Sequence, residues 1–390
     1  MTHKRFTSFV FFFLSISIFS QDINSRQSSQ QETLNSIISE LRNNAYGTAL
    51  TIVDSALQDE PKLLHEQYDL NNNRYLSQLY GFKGQISWVL DSSYSDEYFL
   101  NSIRYAQKIN DSNTIGKNYL NLGRTYETRA DYSTSIDFYI KALPYLKTDC
   151  GLYSRTLDNI SYSLCIQEKH EEALPYLYQA FSISESCNDL AQKVNIYNSL
   201  AAFYTSQNIN KDSVPIYLDK ALALAQEVGY LEGVSISNSN YADYYLANQN
   251  YRQALTYCQY GLAEAIEIKD IESKGISLLQ LGLIHFKLEH FDEAIRYYED
   301  AILTFSQINA TEYESDVFFN LSESYKQIGN YEQAYTYYKA YQTLNDSIKS
   351  SEKVKEFNDI LVKYETNKVK AEKELVVKEN IIQQQTIQQN

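Results

Sequence analysis

The feature that most constrains this chain is a pair of small-residue columns that recur about every 40 residues. Gly123, Ser161, Ala201, Ala242, Gly282 and Ser322 form the first column, at intervals of 38, 40, 41, 40 and 40. Ser135, Ala173, Ser213, Ala254, Ala294 and Ala334 form the second, each 12 residues after its partner. A fixed interval in this range marks a stack of repeated helical hairpins. Two antiparallel helices approach closely only where both present small side chains, so each pair of columns predicts one helix crossing. Three residues after the first column stands Tyr126, Leu164, Tyr204, Tyr245 or Tyr325, with His285 as the exception. The second helix opens near Tyr132, His170, Tyr251, Phe291 or Tyr331, and carries Tyr139, Leu177, Tyr217, Tyr298 or Tyr338 further along. One hairpin cannot bury such a face alone, but the next hairpin in a stack can cover it. Connecting segments such as residues 326–330, with Gly329 and Asn330, supply the residues that end one helix and start the next.

The pattern Leu-Gly-x-x-Tyr, a turn, Tyr/Phe-x-x-Ala and Tyr-x-x-Ala runs from Leu281-Gly282 through Phe291, Ala294, Tyr298 and Ala301. It recurs from Leu122-Gly123-Arg124-Thr125-Tyr126 through Ala142. It resembles the tetratricopeptide repeat family. The resemblance implies an all-α fold: a right-handed superhelix of stacked helical hairpins over residues 27–345, followed by a long C-terminal helix. Six units are clear across residues 117–345. Two degenerate ones precede them, one around Tyr46, Ala49, Val53 and Ala56, the other from Lys83-Gly84 and Trp88 through Ala106. The interval exceeds the family's usual length of roughly 34 residues, so helices or loops are extended. The third clear unit slips by one residue before Ala221, and Tyr341 replaces the last small position.

The two ends differ from the array. Lys4 and Arg5 precede an apolar run from Phe9 to Phe19. As a helix this run spans roughly 16 Å, about half of a bilayer core. The segment 1–21 has the form of a signal peptide, with Ser20 as the residue before the cut and Gln21 at the new terminus, and predicts export to a periplasmic or membrane-associated location. From 349 to 390 there is no Gly or Pro, and Val354, Phe357, Leu361, Tyr364, Ala371, Leu375 and Ile382 follow a heptad interrupted by Lys368, Lys378 and Gln385. That reads as a coiled-coil-like helix able to pair two chains into a homodimer. A leader, long repeats and a charged helix together resemble the input half of bacterial tetratricopeptide-repeat sensor histidine kinases and LuxR-type regulators. The resemblance implies a role in signal transduction, with a membrane tether beyond Asn390.

The formal net charge is −15. The leader carries +2 and residues 346–390 balance eight acids with eight lysines, so the array itself carries −17. That argues against nucleic acid as a partner, because phosphates demand a basic surface. No Gly-x-Ser-x-Gly elbow, phosphate-cradling loop or Rossmann glycine set occurs, so neither catalysis nor a cofactor is expected. His170, in His170-Glu171-Glu172, stands in the aromatic column and reads as packing. His285 and His290 are five apart, the wrong spacing for two metal ligands on one helix face, so no metal site is expected. Cys150, Cys165, Cys187 and Cys258 read as buried thiols, a disulfide being the alternative that export would allow.

One column carries chemistry. Asn121, Asn159, Ser199, Asn240, Gln280 and Asn320 each stand just before the Leu, Ile or Tyr of a first helix. In the family this position faces the inner, concave surface. A carboxamide donates twice and accepts once, so it can pair with both the N–H and the C=O of a passing peptide. Helices 8–10 Å apart would then meet an extended strand about every third residue. The alternative is hydrogen bonding between neighbouring helices. Arg124, Arg155, Asp243 and Glu323 lie near the column and are candidates for reading ligand charge. The resulting expectation is a non-catalytic, extracytoplasmic domain that binds a peptide or protein segment as a sensor input, or else serves as a free periplasmic scaffold.

Overall fold

The computed structural model describes residues 25–43, 45–60, 63, 70–90, 95–308 and 310–346. The leader at 1–21 and the tail at 349–390 lie outside them. The described residues form helices and no strand. They divide into two compact units, the first ending at Leu288 and the second beginning at Glu289.

The first unit contains α1 (Ser25–Arg42), α2 (Tyr46–Leu57), α3 (Leu70–Leu90), α4 (Ser95–Lys108), α5 (Ser112–Thr128), α6 (Tyr132–Leu146) and α7 (Cys150–Ile166). It continues with α8 (His170–Glu185), α9 (Leu190–Gln207), α10 (Val214–Glu227), α11 (Leu231–Ala247), α12 (Tyr251–Glu267) and α13 (Ile271–Lys287). From α3 to α12 each odd-numbered helix packs against the next as a hairpin, and each even-numbered helix packs against the odd-numbered helix that follows. The odd-numbered helices α3 to α13 also touch one another in sequence, which makes them one wall of the stack. The second unit contains α14 (Phe291–Phe305), α15 (Thr311–Gln327) and α16 (331–346).

The small columns are helix crossings, as their chemistry requires. A Cβ placed on Gly123 of α5 would lie 2.3 Å from the Tyr139 ring of α6, and Tyr139 is wholly buried. On the degenerate side a Cβ on Gly84 of α3 would lie 2.7 Å from the Phe99 ring of α4. Ser235 of α11 donates its hydroxyl to the Gly261 carbonyl of α12 at 3.1 Å. In the second unit Ser322 does the same to the Ala334 carbonyl at 2.9 Å. At the third clear unit the predicted slip is visible. Ser213 lies in a short 3-10 turn (Lys211–Ser213), and Val214 takes the buried place instead.

The turns repeat as faithfully as the helices. Asp111, Asp131, Asp149, Asp189 and Asp270 each accept a bond from a backbone N–H of the first turn of α5, α6, α7, α9 and α13. These caps satisfy donors that a helix start leaves open, and they place part of the array's negative charge at the positive end of helix dipoles. The residue before the cap is left-handed in turn after turn: Asn110, Ala130, Glu168, Gly229, Gln249, Lys269 and Glu289. The cap's own N–H then reaches back five residues, as in Asp131 to the Tyr126 carbonyl at 2.8 Å and Asn250 to Tyr245 at 2.8 Å. This closes one helix and opens the next within three residues. Gly is the expected occupant of such a position, yet here Gly229 and Gly329 are the exceptions.

Two expectations need correction. Cys150 and Cys187 form a disulfide with Cα atoms 5.8 Å apart, while Cys165 and Cys258 remain thiols. Cys150 opens α7 and Cys187 precedes α9, so the two hold nearly equivalent places in consecutive units, which stacking brings together. Tyr331 and Tyr338, expected in the core columns, are 71% and 41% exposed on α16. No described helix of the second unit covers that face. Asn240 and Gln280 of the polar column bond neighbouring helices, as set out below.

Candidate ligand groove

The wall made by α7, α9, α11 and α13 encloses a cavity of about 860 Å³, within the range of ligand sites. All four are the first helices of their hairpins, so the cavity is a trough running across the stack. Its floor is apolar, including Ile166, Phe203, Ile236, Leu246 and Leu283. Four carboxylates line it, Asp158, Glu168, Asp243 and Glu272, together with one lysine, Lys287, and His170. His170 opens α8 and packs edge-on against Phe203, with ring centres 6.4 Å apart. The expected packing role is therefore present, but the ring also borders the trough. His170 Nδ1 and Thr205 Oγ1, both from trough-lining side chains, are shielded from solvent and have no hydrogen-bond partner.

The structure divides the predicted polar column. Ser199 and Asn240 line the trough. The single hydroxyl proton of Ser199 is shared between the Asn195 carbonyl of its own helix at 2.7 Å and Asp158 Oδ2 at 3.1 Å. Asn240 donates to the Asn198 side chain at 3.2 Å, bridging α11 and α9. Gln280 is buried, donates to the Ser239 carbonyl at 3.1 Å and to Asp243 Oδ1 at 2.7 Å, and accepts from the Ser239 hydroxyl at 2.9 Å. Its donors and acceptor are thus occupied by α11. Asn159 is half-buried on α7. Asn121 borders a separate small cavity of about 50 Å³ beside Lys117 and Arg124. Asn320, in the second unit, donates back to Asp316 of its own helix. Ser199, Asn240 and Gln280 thus link successive first helices, and Gln280 holds Asp243 in place.

The charged candidates separate in the same way. Asp243 is the one that lines the trough. Arg124 lies over the Trp88 ring, 5.1 Å from its centre. Arg155 donates to Gln192 Oε1 at 2.9 Å across to α9. Glu323 pairs with Lys326 at 3.2 Å on an exposed face. Lys117, half-buried on α5, has its ammonium held below the usual lysine range by burial. The trough carboxylates Asp158, Glu168 and Glu272 were not singled out from sequence. Each lies beside the column or in a turn, and only stacking brings them to one surface.

Sequence models described as the tetratricopeptide repeat match residues 119–152, 154–186, 277–304 and 315–347. These segments are tetratricopeptide repeats. The matched repeats include hairpins α5–α6 and α7–α8, and the trough lies on the first helices of such repeats. No curated protein sequence matches the chain. Solved tetratricopeptide-type structures do. A Rap protein complexed with Competence and Sporulation Factor aligns at a TM-score of 0.56 and 14% identity, over 83% of this chain and 99% of that one. The Rap conjugation gene regulator of plasmid pLS20, in complex with the Phr* peptide, aligns at 0.55 and 12% identity, over 83% and 96%. A signal-transduction ATPase with a tetratricopeptide repeat sensor from Pyrococcus horikoshii aligns at 0.53 and 20% identity, over 71% of this chain but 41% of that one. At such identities the likeness is one of fold.

Proposed function

We propose that this repeat array binds an extended peptide or protein segment in the trough on α7, α9, α11 and α13, and that it does so as the sensor input of an exported signalling protein. The observation that carries the binding reading is the 860 Å³ cavity with an apolar floor and a charged rim. Four helices spaced 8–10 Å apart present a track of about 24–30 Å, the span of roughly seven to nine extended residues. His170 Nδ1 and Thr205 Oγ1 add polar groups that the fold leaves unused. One structure of similar fold holds a peptide. Export is supported by the leader and by the Cys150–Cys187 bond, since disulfides persist in oxidising compartments. The second reading, a free extracytoplasmic scaffold, shares the groove and differs only in lacking an output.

The test is retention of a randomised ten-residue peptide library by the full chain and by an Ala202→Trp variant. Ala202 lines the trough from α9, so an indole there occupies the track. The full chain is expected to retain peptides and the variant to lose them at an unchanged melting midpoint. Equal retention by both places binding elsewhere and ends this reading.

A further inference from the structure

We infer that the trough selects basic peptide segments, reading lysine or arginine side chains with Asp243 and Glu272 while apolar neighbours fill the floor. The inference rests on the trough being the binding site. Charge complementarity carries it. Four acids against one lysine line a cavity in an array that itself carries −17, so the field in the trough is negative and its low-dielectric walls concentrate it. The carboxylates are also built in. Gln280 fixes Asp243 through a 2.7 Å bond from the neighbouring helix, and the Ser199 hydroxyl, shared with the Asn195 carbonyl, reaches Asp158 at 3.1 Å. Glu272 is buried in the first turn of α13, where the helix dipole favours its charge. A carboxylate held in place loses little freedom on pairing, and a planar guanidinium can take two of its lone pairs at once. The polar column is thus a set of positioning residues, and the carboxylates beside it do the reading. An acidic segment would meet like charge and lose the contact. The occupant is a peptide rather than a polyamine, because most of the surface is apolar and a polyamine offers it no side chains.

The experiment uses the same randomised peptide library, sequenced after retention on the full chain, on Asp243→Asn and on the Asp243→Asn/Glu272→Gln double variant. The full chain should enrich lysine plus arginine at least about threefold over the input, and the double variant should abolish that bias while still retaining apolar peptides. For a single retained basic peptide, the double variant should weaken affinity about tenfold or more, and the loss should shrink as salt rises. Retention without charge bias, or enrichment of acidic peptides, overturns the inference and leaves the groove standing. Displacement of the basic peptide by equimolar spermine also overturns it. Failure to retain any peptide defeats the groove reading itself.

Discussion

The closest helix crossing offers a quantitative test of the repeat register. A Cβ on Gly123 would stand 2.3 Å from Tyr139 Cε1 and 2.4 Å from Cδ1. Carbon atoms settle near 3.5–4.0 Å, so the ring must retreat by more than an ångström. It has nowhere to go, since Tyr139 is wholly buried and its hydroxyl donates to Glu127 Oε2 at 2.8 Å. Overpacking of this kind costs about 1–3 kcal/mol. Replacing a helical glycine by alanine returns about 0.5–1 kcal/mol. Gly123→Ala should therefore destabilise by up to about 2.5 kcal/mol, with no net gain. Gly47 gives the control, because nothing lies within 4 Å of a Cβ placed there, and Gly47→Ala should be neutral to stabilising. Urea unfolding followed by helical circular dichroism reads both. The cost at Gly123 should vanish in a Tyr139→Leu background, where the ring is gone. A Gly123→Ala that stabilises like Gly47→Ala, or costs the same in both backgrounds, refutes the packing described.

Other outcomes follow from single features. Cys150→Ser with Cys187→Ser opens a link across 37 residues, and should lower stability by about 3–4 kcal/mol on loop entropy; identical urea midpoints with and without reductant would contradict it. Burial raises the phenols of Tyr139, Tyr230 and Tyr241 above their ordinary value, with Glu127, Glu232 and Asp219 adding to the shift. Their contribution is fully present below about pH 10, where unfolded tyrosine titrates, and is lost as pH rises through the raised folded values. The urea midpoint should fall steadily above about pH 10, and a flat profile to pH 11 would rule the account out. Gln280→Leu strands the partners of a buried amide and should cost about 1–3 kcal/mol, whereas Asn320→Leu, bonded only to its own helix, should stay within about 0.5; equal midpoints would show that the column has no bridging role.

The fold was legible because its signal is collective. A constant offset of 12 residues repeated down the chain outweighs any single ambiguous position, and even the slip before Ala221 shows in the letters. The turns were only half legible. Left-handed residues at Asn110, Gly229 and Gly329 follow local chemistry, but those at Ala130, Glu168, Lys269 and Glu289 do not. At Ala130, Glu168 and Lys269 the packed helices on either side dictate the backbone, and the side chain tolerates it. The disulfide needed the third dimension, because two cysteines 37 apart are neighbours only when consecutive repeats stack. The arrangement of the polar column needed the third dimension for the same reason. The polar column was visible, but whether Gln280 faces a ligand or the next helix depends on spacing between helices, which no single repeat encodes.

The most direct measurement of the central claim uses the protein's own thiols. Cys165 is half-buried and lines the trough from α7. Cys258 is buried, donates to the Ser277 carbonyl at 3.1 Å, and has a thiol pushed well above its ordinary range by burial and then by Asp243. Alkylation of the full chain, followed residue by residue by mass spectrometry, should modify Cys165 first and leave Cys258 intact while the protein is folded. Saturation with a retained library peptide should slow Cys165 modification several-fold, with Cys258 unchanged. Binding of that peptide with no change at Cys165 would place the ligand outside the trough and contradict the account.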